Sequence, residues 1–211
     1  MPSIYLIRHG KASPEAEDYD ELSPTGYEQA RLLGAELKRR GLRPQTVLTG
    51  SLRRQRQTAA TALAEAGIGT GPTVDERWNE YGHLELLALR PGAEGTLQER
   101  LDAGLSAWIA AGGTGPGGWE AFRSGVRSAL EDTAAGLGRG ETALVFTSAG
   151  VIATVCAELL RAPVHGFLEL NRIVVNGSVT KVVHGRGGTR LLSFNDHAHL
   201  EQDGAGLTTF R

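Results

Sequence analysis

Short runs of apolar residues alternate along this chain with segments in which apolar residues recur at helical spacing. Apolar runs bounded by glycine or other turn residues are typical of strands. The predicted strands span residues 4–7, 46–49, 72–75, 143–147, 178–184 and 189–195. The last two flank the tight turn Gly185-Arg186-Gly187-Gly188, which predicts an antiparallel hairpin that closes the sheet.

Helical patterns lie between these strands, so the order of elements predicts an α/β protein. Ser23 and Pro24 are a preferred N-cap and first helical residue, and Gly41 provides the stop for this first helix. Ser51 is expected to cap a second helix. Further helices are predicted at about 51–65, 96–110, 119–137 and 151–160.

Composition narrows the class of protein. The chain has 211 residues, 40% of them hydrophobic, which suits one large α/β domain or two small ones. A formal net charge of −2 gives no general attraction to nucleic acid or to an acidic membrane, so any anion site must be local. The single cysteine, Cys156, excludes an intramolecular disulfide and fits a reducing compartment. With no leader pattern and no apolar stretch of bilayer length, we expect a cytoplasmic protein.

The first strand ends in the triplet Arg8-His9-Gly10. Open α/β sheets bind ligands beyond the carboxyl ends of their strands, and a neutral imidazole there is a good nucleophile. Arg8 offers a planar fork of donors that suits phosphoryl oxygens, and Gly10 lets another atom approach the backbone. For the triplet alone, an exposed histidine at a strand end is the favoured interpretation.

Three other places carry candidate chemistry. Arg54 lies at the start of a helix, where a cation is disfavoured unless an anion binds beside it. Glu80 lies between aromatic residues, where desolvation raises the pKa of a carboxyl group and suits it to donate a proton; a salt bridge to Arg77 is the simpler alternative. Ser148 ends the apolar strand 143–147 and begins another strand-to-helix anion cradle.

Three segments taken together resemble the histidine phosphatase family, also called phosphoglycerate mutase-like. They are Leu6-Ile7-Arg8-His9-Gly10, Leu22-Ser23-Pro24-Thr25-Gly26 and Ser51-Leu52-Arg53-Arg54-Gln55-Arg56-Gln57-Thr58-Ala59. The resemblance extends to residues 77–80 and 143–152. It implies a three-layer α/β/α sandwich with a mostly parallel sheet and an antiparallel C-terminal edge. It also implies one domain over residues 1–211, with a helical lid or insert at about 84–140.

The same resemblance implies roles for individual residues. His9 matches the nucleophile that becomes a phosphohistidine, Arg8 and Arg54 match the arginines that hold the phosphoryl group, and Glu80 matches the acid. Ser148 stands where the family has a second catalytic histidine, so one cationic donor is lost and Ser148 keeps only a neutral hydroxyl for the phosphate. A charged hydrogen bond contributes about 1.5 to 3 kcal/mol, so the rate should fall about 10-fold to 100-fold.

Further candidates for substrate contact are Gly10, Ser13 and His83, which lie in segments next to the predicted site; His83 could also substitute for the missing imidazole. The implied partner is a small phosphorylated substrate or phosphate, with no nucleic acid, no membrane, no cofactor and no metal. The sequence does not indicate the oligomeric state.

The expected activity is that of a phosphatase acting on a small phosphomonoester, with a mutase less favoured because the changed position should weaken its hold on a bound product. Three alternatives remain open. The chain could be a phosphate-binding or regulatory module without turnover. Ser148, Asp196 and His199 occur in the order of an esterase triad. His197 and His199 could face one metal ion.

Overall fold

The sheet of this computed structural model, which describes residues 1–13, 20–201 and 206–210, has the strand order β3-β2-β4-β1-β5-β6. The strands are β1 Ser3–Arg8, β2 Thr46–Thr49, β3 Thr73–Val74, β4 Thr142–Thr147, β5 Val179–Gly185 and β6 Gly188–Asp196. The first four in the order are parallel to their neighbours, and β5 and β6 are antiparallel. The predicted hairpin at the sheet edge is therefore confirmed.

Helices cover both faces of the sheet. They are α1 Pro24–Arg39, α2 Arg53–Ala66, α3 His83–Ala88, α4 Leu97–Ala111, α5 Trp119–Ala135, α6 Ala149–Leu160 and α7 Val164–Ile173. Successive residues of a strand point to opposite faces. Accordingly Ile4 and Leu6 pack in a core with α5 and α6, whereas Tyr5 and Ile7 pack in a second core with α1 and α2. The predicted three-layer α/β/α arrangement is thus confirmed.

A third buried cluster joins the helices of the middle segment to the C-terminal helices. Leu86 of α3 and Trp108 of α4 pack with Trp119 of α5, and the cluster continues into α6 and into Phe167 of α7. The segment 84–140 is therefore attached to the main body through aromatic side chains. No helix within the described ranges is long and apolar enough to cross a membrane.

The helix ends test the capping predictions. Ser23 caps α1, since its side chain accepts a hydrogen bond from the Gly26 amide, and Gly41 follows the helix with the positive φ expected of a stop. The prediction that Ser51 caps α2 is wrong. Leu52 is the N-cap and has no polar side-chain atom that could make a cap bond, while the Ser51 hydroxyl accepts a bond from the side-chain amide of Asn79. Helices α3 and α7 were not predicted.

Candidate active site

The parallel pairing of β1 with β4 brings two chain positions together at the carboxyl edge of the sheet. Arg8 is in register with Thr147, and the His9 amide donates to the Thr147 carbonyl at 2.9 Å. The next residue on each strand, His9 and Ser148, therefore leaves the sheet beside the other. This is the edge where open α/β sheets bind their ligands.

The imidazole of His9 is buried and held in one tautomer. Its Nδ1 lies 2.7 Å from the Gly10 carbonyl oxygen, which can only accept, so Nδ1 carries the proton. Nε2 is then an acceptor and receives a bond from Nε of Arg54 at 3.1 Å. Burial above all, and then the charges of Arg54 and Arg8, hold the pKa of His9 well below its ordinary value. The ring is therefore neutral near pH 7, with the lone pair of Nε2 directed at a guanidinium group.

Arg54 lies in the first turn of α2, as the sequence predicts, and an anion is already present there. The carboxylate of Asp20 binds Nη1 of Arg54 with one oxygen and the backbone amide of Arg53 with the other. A carboxylate at a helix start offsets the helix dipole and the neighbouring cation. The sequence analysis missed Asp20, because nothing local to residue 20 indicates a contact with α2.

Arg8 is the second arginine whose charge acts on the imidazole. Its side chain is buried, and its guanidinium donates to the carbonyl of Val174, just after α7. Because the charges of both Arg8 and Arg54 lower the pKa of His9, the two guanidinium groups act on the same ring. The structure thus brings together the three side chains predicted to bind a phosphoryl group.

Glu80 reaches the same region from the loop that follows the short 3-10 helix Glu76–Trp78. Its carboxylate accepts bonds from the amides of Gly150, at 3.0 Å, and Tyr81, at 3.3 Å. Burial raises the pKa of Glu80, against the opposing effects of the Gly150 amide, Arg54 and Arg8. The alternative salt bridge to Arg77 is wrong.

The guanidinium of Arg77 instead binds two other carboxylates, those of Asp75 and Asp132, each at 2.6 Å. The carboxylate of Glu80 is therefore left to face the two arginines near His9, whose charges act on both groups. This arrangement keeps a protonatable carboxyl group close to a neutral imidazole.

Ser148 is fully buried and held by a residue that the sequence analysis missed. Its hydroxyl accepts a bond from Nε2 of Gln55 at 2.8 Å, and the same amide nitrogen donates to the Trp78 carbonyl at 3.0 Å. Gln55 is also fully buried, on the inner face of α2. A glutamine between Arg54 and Arg56 reads as a surface residue, so only its place on the apolar face of that helix could have indicated burial.

Three candidates for substrate contact remain, namely Gly10, Ser13 and His83. A Cβ at Gly10 would be 2.4 Å from the Gly26 carbonyl oxygen, so glycine is required for α1 to approach the loop after His9. Ser13 is half-buried and its amide donates to the Glu21 carbonyl. His83 is the first residue of α3. Residues 14–19, which follow Ser13, lie outside the described part of the chain.

The residues of the alternative sites are engaged elsewhere. Asp196 binds Arg40 at 2.6 Å, and the Ser148 hydroxyl is bonded to Gln55 rather than to His199, so the esterase triad is not assembled. Within residues 1–13, 20–201 and 206–210, no group of three or more potential ligands could hold a metal ion. The pair His197 and His199 therefore gains no third ligand from the described residues.

Known proteins are similar to this chain in sequence and in fold. The model of the histidine phosphatase superfamily (branch 1) matches residues 4–197. A 2,3-bisphosphoglycerate-dependent phosphoglycerate mutase of Thermobifida fusca is 42% identical over 96 residues. That alignment covers 40% of this chain and only 38% of the mutase.

Solved structures share the fold over nearly the whole chain. The YhfR protein of Bacillus stearothermophilus superposes with a TM-score of 0.72 at 22% identity, covering 95% of this chain and 100% of that one. The phosphoglycerate mutase of Bacillus anthracis gives 0.69 at 19% identity, covering 94% of each chain. A phosphoserine phosphatase of Entamoeba histolytica gives 0.66 at 20% identity, covering 95% and 100%. Together with the family model, which spans most of the sequence, this places the chain in the histidine phosphatase superfamily.

Proposed function

We propose that this protein is a phosphatase that hydrolyses a small phosphomonoester through a phosphohistidine on His9. The observation that carries the proposal is the state of the imidazole: it is neutral, and its Nε2 lies against the guanidinium of Arg54, with Arg8 close by. A nucleophile beside two phosphate-binding cations is the arrangement that phosphoryl transfer needs.

In the first step, Nε2 of His9 attacks phosphorus and the bond from phosphorus to the leaving oxygen breaks. Arg8 and Arg54 stabilise the charge on the phosphoryl oxygens, and Glu80 gives its proton to the leaving alcohol. Arg54 must exchange its bonds to His9 and Asp20 for bonds to the substrate. His9 and Asp20 therefore hold the Arg54 guanidinium at the place where the phosphoryl group of the substrate would bind.

In the second step, the Glu80 carboxylate takes a proton from water, which attacks the phosphohistidine. The bond between Nε2 and phosphorus breaks, inorganic phosphate leaves, and His9 returns to its neutral form. The scheme uses no cofactor and no metal ion. Ser148 supplies a neutral hydroxyl where the family has an imidazole, so we expect slow turnover.

The surrounding segments complete the proposal. Gly10, Ser13 and His83 are the candidate contacts to the rest of the substrate, and the helical segment 84–140 would cover it as a lid within a single domain. The lone cysteine supports a cytoplasmic location. Interconversion of phosphoglycerates is the second candidate, favoured by the partial similarity to the Thermobifida fusca mutase.

Rapid-quench labelling tests the mechanism. The protein is mixed with a ³²P-labelled phosphomonoester and quenched in acid or base; we expect an acid-labile, base-stable label on the protein that disappears in His9→Ala. The matched control is His165→Ala, since the His165 side chain is 81% exposed and pairs weakly with Glu169. Turnover that persists in His9→Ala would contradict the mechanism.

Product analysis separates the remaining functions. Incubation with 3-phosphoglycerate and 2,3-bisphosphoglycerate should yield 2-phosphoglycerate if the protein is a mutase, whereas release of inorganic phosphate from a panel of phosphomonoesters without that product would indicate a phosphatase. Binding of phosphate or vanadate without turnover of any phosphomonoester would indicate a regulatory module instead.

A further inference from the structure

A cavity of about 480 Å³ lies beside Glu80. Its walls come from residues 76–82, from α3 and α4, and from the start of α5. Glu80 itself is part of the lining, together with the next residue, Tyr81. A Cβ at Gly150 would contact both the Glu80 carboxylate and the Tyr81 ring at 2.3 Å, so these two side chains lie side by side on the first turn of α6.

The walls of this cavity are mainly apolar and aromatic. The rings of Tyr81, Trp108 and Phe122 lie 5.3 to 5.6 Å apart, centroid to centroid, and Leu86 and Leu89 add aliphatic surface. The polar end of Tyr81 is engaged, because its hydroxyl accepts a bond from Asn171. Such a wall binds apolar groups by removing their surface from water.

The charged residues around the cavity do not suit an acidic substrate. Arg77 lines it, but its guanidinium is bound to Asp75 and Asp132. The other charged residues in the lining, Glu76 and Glu85, are acidic and exposed, and Glu80 adds a third carboxyl group. A carboxylate on the substrate would meet like charge here, without a free cation in the lining to balance it.

The position of Glu80, the proposed acid, indicates which part of the substrate would occupy this cavity. In the proposed function, on which this step rests, Glu80 must face the oxygen of the leaving alcohol, so the carbon atoms of that alcohol extend beside Glu80. From the apolar cavity found there, we infer that the substrate is a phosphomonoester of an apolar alcohol about the size of a phenylalkyl group. Sugar phosphates and phosphoglycerates fit this wall poorly.

The experiment compares 2-phenylethyl phosphate with ethyl phosphate, two alkyl esters whose leaving alcohols have similar basicity. Binding is measured by calorimetry on the His9→Ala protein, where neither ester is consumed, and kcat/KM is measured on the unaltered protein. Burial of the phenyl group should favour 2-phenylethyl phosphate about tenfold or more in both measurements. 3-Phosphoglycerate should bind more weakly than either ester.

Gly125 of α5 gives a variant that fills the cavity. It belongs to the lining, and a Cβ there would meet nothing within 4 Å. Gly125→Leu should therefore fold, since leucine is also a better helix former than glycine. It should abolish the preference for 2-phenylethyl phosphate over ethyl phosphate. Gly125→Ala is the matched control, with the helix stabilised but the cavity open.

Equal binding of the two alkyl esters, or an equal loss of both in Gly125→Leu, would overturn the inference while the proposed function stands. If neither ester is hydrolysed but another phosphomonoester is, the inference fails and the proposed function stands. If no phosphomonoester is hydrolysed, the proposed function fails, and the calorimetric comparison still decides whether this cavity binds an apolar alcohol.

Discussion

The ends of β1 and β4 have the same backbone arrangement but different side chains around them. Both strands stop at the same level of the sheet, and each is followed by a polar residue, His9 on one and Ser148 on the other. His9 is surrounded by cationic side chains, whereas Ser148 is bonded to the neutral amide of Gln55. One end therefore places two positive charges beside a neutral imidazole, and the other end carries a hydroxyl bonded to an uncharged amide.

This difference indicates which strand end supplies the positive charges of the site. In the family pattern, a second imidazole at the end of β4 would add a donor for the phosphoryl group. Here the described cations next to His9, the proposed nucleophile, are Arg8 and Arg54, and the Ser148 hydroxyl is bonded to the buried Gln55. We therefore expect substitutions at the end of β1 to affect turnover far more than substitutions at the end of β4.

The largest effect should come from removing the nucleophile. His9→Ala should lower kcat by on the order of 10⁴-fold, since no other group can form the covalent intermediate. Ser148→Ala is the matching change on β4 and should cost no more than about tenfold. Steady-state release of phosphate checks both. Similar losses of kcat in the two variants would show that the two strand ends contribute equally to turnover.

The next effect concerns Glu80, the proposed acid. Its carboxylate accepts a bond from the Gly150 amide of α6, the helix that follows β4. Glu80→Gln should lower kcat about 10² to 10⁴-fold, as for loss of a general acid. Because the pKa of Glu80 is raised and its protonated form is needed first, kcat/KM should fall as pH rises through that pKa. This alkaline decline should vanish in Glu80→Gln and persist in Glu76→Gln. A decline that survives in Glu80→Gln belongs to another group.

A smaller gain should follow from restoring the missing imidazole. Ser148 and Gln55 are both fully buried and in contact, so Ser148→His alone lacks room for the ring. Combined with Gln55→Ala, it should raise kcat about tenfold above Gln55→Ala. Phosphate release by the four proteins of this cycle is the measurement. An equal gain in the single variant would mean that Gln55 does not limit the space.

The smallest effect is a change in titration. Arg54→Gln should raise the pKa of His9, because one of the two neighbouring charges is lost, but the pKa should stay below its ordinary value because burial is the largest cause of the shift. Proton NMR of the imidazole across the acidic range measures this. Arg53→Gln serves as the control, since the Arg53 side chain is half exposed and pairs with Glu21. If the His9 titration is unchanged in Arg54→Gln, the charge of Arg54 does not help to keep the ring neutral.

The sequence predicts the parts of this site that depend on local pattern. An apolar strand ending in Arg8 and His9 and an arginine at a helix start can be found along the chain, and the structure brings these side chains together. The contacts of Gln55 and Asp20 could not be found in this way. Ser148 is 93 residues from Gln55, and Asp20 is 34 from Arg54, so each pairing appears only when α2 packs against the sheet.

The errors have the same origin. Ser51 has the residue type of an N-cap, but its hydroxyl and its backbone amide both bond to the side chain of Asn79. Arg77 lies three residues from Glu80, yet Asp75 and the distant Asp132 hold its guanidinium. In both cases a partner from elsewhere in the chain satisfies the group that local spacing had assigned to a neighbour.

The contact of Gly10 with Gly26 ties two distant positions of the chain to each other. A Cβ on Gly10 would lie 2.4 Å from the Gly26 oxygen, and one on Gly26 would lie 2.2 Å from the Lys11 oxygen. Neither position can accept a methyl group while the other keeps its place. A methyl group at either glycine would force α1 and the segment after His9 apart, so evolution constrains both positions through a single crossing of backbone over backbone.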